Sequence, residues 1–133
     1  MASVLPDGIA RAKAAQFISC QGFDIHYTTF SSMLIPAQVA AAHNIVRSEQ
    51  RIVTNISVRK ANQPVRAIVS GTATNLLNQM ETMQFEEVLE QTAVYYLASQ
   101  LVDERDRVSY DLLVTPVGAT SACQLSFIRD YIH

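Results

Sequence analysis

The stretch Arg51–Leu77, RIVTNISVRKANQPVRAIVSGTATNLL, decides how the rest of the chain is read. Ile52, Thr54, Ile56 and Val58 share one parity and Arg51, Asn55, Ser57 and Arg59 the other, which is the period of a strand with one buried face. Val, Ile and Thr dominate the run and lose rotamer freedom in a helix, so a strand is the better reading. Lys60-Ala61-Asn62-Gln63-Pro64 then supplies turn chemistry, because Asn accepts unusual φ and Pro64 lacks the N–H that a central strand donates. On the return, Val65, Ala67, Val69, Gly71 and Ala73 alternate with Arg66, Ile68, Ser70, Thr72 and Thr74. The segment is expected to form a hairpin, with the small residues at 67, 71 and 73 leaving room for a large neighbour.

Upstream, Gly22 opens a strand over Phe23–Phe30, with Phe23, Ile25 and Tyr27 on one side and Asp24, His26 and Thr28 on the other. Pro36 and the alanine-rich Ala37–His43 predict a helix of about two turns capped by Asn44, too short to stand alone and expected to close one end of the sheets. Downstream, Met83, Phe85 and Leu89 resume the alternation. Val94–Leu101 is apolar on both parities, as in a strand covered on both faces. Val108, Tyr110, Leu112 and Val114 form another strand after the charged turn Asp103–Asp106. The last strand runs from about Ala122 to Tyr131, with Cys123, Leu125, Phe127 and Tyr131 on one side. About seven strands with one short helix near residues 36–43 predict a mainly β chain, an antiparallel sandwich of immunoglobulin-like kind, with a small barrel as the alternative.

The 133 residues fit one domain, taken as residues 17–133 behind a leader or short helix at residues 1–16. A net charge of −2 gives no argument for nucleic acid, and no apolar run approaches the roughly 20 residues of a membrane span. Arg11 and Lys13 interrupt the segment where a secretion signal would be apolar, so none is readable.

Asn55-Ile56-Ser57-Val58, then Pro64-Val65 and Ser70-Gly71-Thr72-Ala73-Thr74-Asn75-Leu76, resemble the bacterial family known as domain of unknown function 4426. The likeness extends to Phe23–Tyr27, Pro36–Ala41 and Ala93–Ala98. The resemblance implies a small exported proteobacterial protein, hence a periplasmic location, and carries over no catalytic residue.

Candidate sites are few. Cys20 and Cys123 lie near the two ends of the fold and either form a disulfide or pack as separate thiols. His26, His43 and His133 are scattered and hold no metal-ligand spacing. Glu86, Glu87 and Glu90, and Asp103, Glu104 and Asp106, lack the pattern of a calcium loop and read as solvated faces. Arg51, Arg59 and Arg66, with Arg47 and Lys60 nearby, build either a positive stripe for an anionic partner or ordinary protection of an exposed strand. Ile68, Val88, Val94, Leu113 and Ile128, with Val102, carry outward parity and need a cover, either the helix or a partner surface. No nucleophile elbow or phosphate-binding loop is present.

With the envelope location that the resemblance implies, these features predict a small non-enzymatic protein that serves as an interaction or accessory module, through a protein partner or a second copy of itself. No cofactor, nucleic acid or membrane insertion is expected. The alternative is a carrier whose small ligand sits between the sheets, against Tyr27, Tyr95, Tyr110 and Phe127.

Overall fold

The computed structural model of the chain describes residues 16–132. The expected leader, apart from Gln16, and His133 lie outside the described residues. Ten strands form two antiparallel sheets packed face to face: β1 (Gln16–Cys20), β2 (Phe23–Ser31), β3 (Arg51–Lys60), β4 (Gln63–Val65), β5 (Ala67–Thr74), β6 (Met80–Thr82), β7 (Glu86–Leu89), β8 (Val94–Leu101), β9 (Arg105–Pro116) and β10 (Cys123–Ile132). The first sheet runs β1-β2-β3-β8-β7 with β4 added beside β3, and the second runs β10-β9-β5-β6. The β-sandwich is thus the fold, built from ten strands among the described residues rather than about seven. The added ones, β1, β4 and β6, are only three to five residues each, so alternation alone does not reveal them.

The extended hairpin expected over Arg51–Leu77 is corrected. Only Val58–Lys60 pairs with Gln63–Val65, and after Arg66 the chain crosses to the second sheet, where Ala67–Thr74 pairs with β9. A polar network marks the crossing. The Ala67 N–H donates to the Tyr96 hydroxyl at 2.7 Å, that hydroxyl donates to Glu87 at 2.7 Å, and Arg66 holds the same carboxylate at 2.7 and 3.2 Å. Pro64 sits in the three-residue β4, consistent with its missing N–H.

The main core lies between the sheets and includes Ile25, Ile56, Val58, Val108, Leu112 and Leu125, with Tyr110 completely buried. Gly71 serves close packing: a Cβ there would stand 2.4 Å from the Asp111 carbonyl oxygen and 2.8 Å from Leu112 Cα. The small residue does leave room for a large one.

A second, smaller core lies on the outer face of the first sheet. Helix α1 (Ala37–Ala42) puts Ala40 with Ile35 over Phe30, Val53, Val88 and Leu97. The helix therefore covers a face instead of closing an end. That is why β3 is buried on both parities, Val53 as fully as Ile56. Asn44 closes the helical segment at φ 55°, the left-handed cap its sequence suggests. The doubly apolar β8 is likewise covered on both sides, by Tyr96 and Ala98 in the main core and Leu97 in the second.

Cys20 and Cys123 form a disulfide that ties β1 of one sheet to β10 of the other across 103 residues of sequence. The turn before β2, missed in the sequence, makes this reachable: Gln21 (φ 55°) and Gly22 (φ 82°) join β1 to β2 in a two-residue hairpin.

Candidate functional site

Beyond the residues that the helix covers, a pocket of about 200 Å³ opens on the first sheet, lined by His26, Tyr27, Thr28, Asn55, Ser57, Arg59, Ala93 and Tyr95. Its position follows from the strand pairing. Strand β3 pairs with β8 up to Ile56 and with β4 from Val58 onward, so Ser57 marks the place where the neighbour changes. Two strands that meet end to end leave a gap in the layer of side chains above the seam.

The floor is polar and incompletely bonded. Thr28 and Asn55 stand opposite each other across β2 and β3, and both are buried, at 5% and 9% exposure. Thr28 Oγ1 and Asn55 Oδ1 have no hydrogen-bond partner among the described residues. Buried polar atoms are nearly always paired, and leaving one unpaired costs about 1–3 kcal/mol. Such a cost beneath a pocket points to a partner that the protein itself does not supply.

The walls combine rings and a fixed cation. His26 lies tilted against the Phe17 ring at 5.2 Å, and burial lowers its pKa, opposed by Asp24 and aided by Arg59, so the ring is neutral at pH 7 with one donor and one acceptor nitrogen. Arg59 donates to the backbone oxygens of Asn62 at 2.7 Å and Thr92 at 3.4 Å, bracing the turns on either side of the pocket. Ser57 faces His26 across the strand pair, but no hydrogen bond joins the two side chains, and the nearby Asp24 accepts from Ser19 instead. A relay of carboxylate, imidazole and hydroxyl is therefore not assembled among the described residues.

The model for a domain of unknown function (DUF4426) matches residues 18–131. The chain belongs to the DUF4426 family. A crystal structure of a DUF4426 family protein from Pseudomonas aeruginosa PAO1 is similar at a TM-score of 0.80 and 29% identity, over 89% of this chain and 94% of that one. None of the curated proteins compared with the chain matches it. Within this DUF4426 chain the motif Asn55-Ile56-Ser57-Val58 divides by parity: Ile56 and Val58 enter the main core, while Asn55 and Ser57 line the pocket.

The other sequence candidates separate. The four rings expected to line a cavity between the sheets do not share one. Tyr27 and Tyr110 stack on Phe127 at 4.6 and 4.7 Å and fill the core, whereas Tyr95 belongs to the outer face. A cleft of about 330 Å³ does open between Thr29–Ser31 and Arg129–Ile132, but its main polar groups are engaged. Tyr131 bonds Tyr110 at 2.7 Å, and the Arg129 guanidinium lies over Phe127 at 4.9 Å.

The three arginines each have protein partners: Arg66 leaves with the crossover to hold Glu87, Arg51 reaches Ser99 and Arg59 braces two turns. Of the apolar set, Val88 lies under the helix, and Val94 and Val102 face the main core, so these are not exposed. Ile68, Leu113 and Ile128 remain on the outer face of the second sheet, at 74%, 50% and 59% exposure. His43 bonds Glu86 at 3.1 Å. Asp106, expected on a solvated face, is buried and accepts from the backbone of Leu76, Asp103 and Arg107. Sequence reading passed over Thr28 and Asn55 as sites because an outward Thr or Asn on a strand is ordinary; their burial under neighbouring chain is a tertiary property.

Proposed function

We propose that this DUF4426 protein is a non-catalytic binding module of the bacterial envelope and that the seam pocket on the first sheet takes a small neutral ligand, such as a single sugar unit. The observation that carries this reading is the pair of buried, unpartnered oxygens of Thr28 and Asn55 beneath the pocket. Acceptors at the floor suit ligand hydroxyl donors, and Tyr95 beside them offers a ring face for the apolar side of a sugar. The volume is below the roughly 300–1,000 Å³ of drug-sized sites, which fits a ligand of one ring. The disulfide supports an oxidising compartment, since such bonds rarely persist in the cytosol.

Titrating isotope-labelled protein with a panel of neutral mono- and disaccharides tests the pocket. Shifts at His26–Thr28 and Asn55–Ser57, lost in Asn55→Leu, are the expected result. Saturating additions that leave those amides unmoved overturn it. Cell fractionation with thiol trapping tests the compartment: the expected outcome is an envelope fraction in which neither cysteine reacts.

A second reading rests on Ile68, Leu113 and Ile128, which stay exposed on the second sheet. Here the module would bind a protein or a second copy of itself through that face. Light scattering of the wild type and of Leu113→Ser separates this from a strict monomer.

A further inference from the structure

At the end of the sandwich where the turn after β5 meets the end of β8, a second cavity of about 230 Å³ opens between Ala73, Asn75, Gln79, Met80 and Glu81 on one side and Gln100, Leu101, Asp103 and Asp106 on the other. Its charge is one-sided: Glu81, Asp103 and Asp106 line it, and among the described residues no basic side chain does. Gln100, at 3% exposure, lines it too, and its Oε1 has no hydrogen-bond partner among the described residues. The cavity is held in shape by Asp106, whose oxygens accept from Leu76 N at 3.0 Å and Asp103 N at 2.9 Å, pinning the loops on both sides. Of its lining Met80 (70%) and Leu101 (61%) expose apolar surface, and Leu76 (64%) and Leu77 (68%) do so in the turn that follows Asn75.

We infer that this end of the molecule binds an organic cation, an alkylammonium or guanidinium group carried beside an apolar segment. A buried amide oxygen without a donor and, among the described residues, the carboxylates of Glu81 and Asp103 with no cation beside them in the cavity match the several N–H donors of such a group and no acceptor-bearing ligand, while Asp106, already bonded by backbone N–H groups, adds its charge. Among the described residues no three His, Cys, Asp or Glu side chains converge as metal ligands, so the cation is organic rather than a metal ion. The leucine and methionine rim gives its carrier an apolar surface to cover. This site is separate from the seam pocket and stands or falls without it.

Two sources share that chemistry, a basic side chain of a partner peptide and a free diamine, and the test has an arm for each. Labelled full-length protein is titrated with acetyl-Leu-Lys-Leu-amide, with its norleucine analogue, which lacks the charge, and with cadaverine, each up to about 10 mM, a range that resolves millimolar dissociation constants. The expected result is a shift of the Leu76 and Gln100–Asp106 amides by the lysine peptide, at least about tenfold weaker for the norleucine analogue, as fits a lost hydrogen bond to a charged group. Cadaverine binding as tightly as the peptide assigns the site to free amines; weaker binding assigns it to a peptide. Gln100→Met, close in size, should fold and lose about tenfold in affinity, and Asp103→Asn, at an exposed position, should lose affinity and salt dependence together. Equal binding of the charged and neutral peptides, unchanged binding by Gln100→Met, or no shift with either cation overturns the inference, the cavity then holding solvent alone.

Discussion

Gly71 lies where β5 and β9 approach so closely that no side chain fits between them. Gly71→Ala puts a methyl group against the Leu112 side chain and also against backbone that cannot move aside, and overpacking of this kind costs roughly 1–3 kcal/mol. Thermal denaturation should show the midpoint lowered by about 5–10 °C, and an unchanged midpoint contradicts the packing described. Asn55 gives the opposite case. Replacing an unpartnered buried amide with leucine removes a desolvated acceptor, so Asn55→Leu should keep or raise stability while abolishing sugar binding. A loss of folding there would mean that Asn55 is structural.

His26 adds a pH signature. Its folded-state pKa lies below the ordinary 6.5 because burial disfavours the charged ring. As the pH falls through 6.5 the unfolded chain takes up a proton that the folded chain still refuses, so stability declines from there downward. Denaturation midpoints between about pH 7.5 and 5.5 should fall in the wild type and flatten in His26→Gln. Acidic groups held down by arginines, Glu87 by Arg66 and Asp130 by Arg107, act only at lower pH and do not confuse that window.

Among the elements, the crossover from β4 to β5 is the decisive join. Val65 still pairs within the first sheet and Ala67 already pairs within the second, so one residue, Arg66, spans the change. Tyr96 supports it from β8 by accepting the Ala67 N–H and donating to Glu87. Tyr96→Phe keeps the ring in the core and leaves both groups short of a partner, a loss of about 1–3 kcal/mol measurable by urea denaturation. Were the variant as stable as the wild type, water would have replaced the hydroxyl. The crossover was illegible in the sequence for a plain reason. Val65, Ala67, Val69, Gly71 and Ala73 alternate identically whether the strand turns back on β3 or crosses to β9, because parity specifies a buried face and not a neighbour. The helix was legible as an element from Pro36 and the alanines. Its docking on Phe30, Val53, Val88 and Leu97 was not, since those residues come from four strands brought together only by pairing.

At the scale of the molecule, the Cys20–Cys123 bridge joins the edge strands of the two sheets and closes most of the chain into one loop. In the loop-entropy account a link of this span contributes up to about 4–5 kcal/mol. The double variant Cys20→Ser, Cys123→Ser should therefore unfold at markedly lower urea without losing its strand content. An equal midpoint would show that the unfolded state is already held compact. The two cavities also belong to this scale, one at a seam where β3 changes partner and the other at an open end between the sheets. By itself the sequence determined the longer strands, the sandwich and the family, because these follow from alternation and from short local motifs. Only the tertiary structure decided which sheet each strand joins, which outward residues are covered, and where side-chain oxygens of Thr28, Asn55 and Gln100 are left buried with no partner among the described residues. A hydrogen bond that is missing is a property of everything packed around an atom, and no local pattern encodes it.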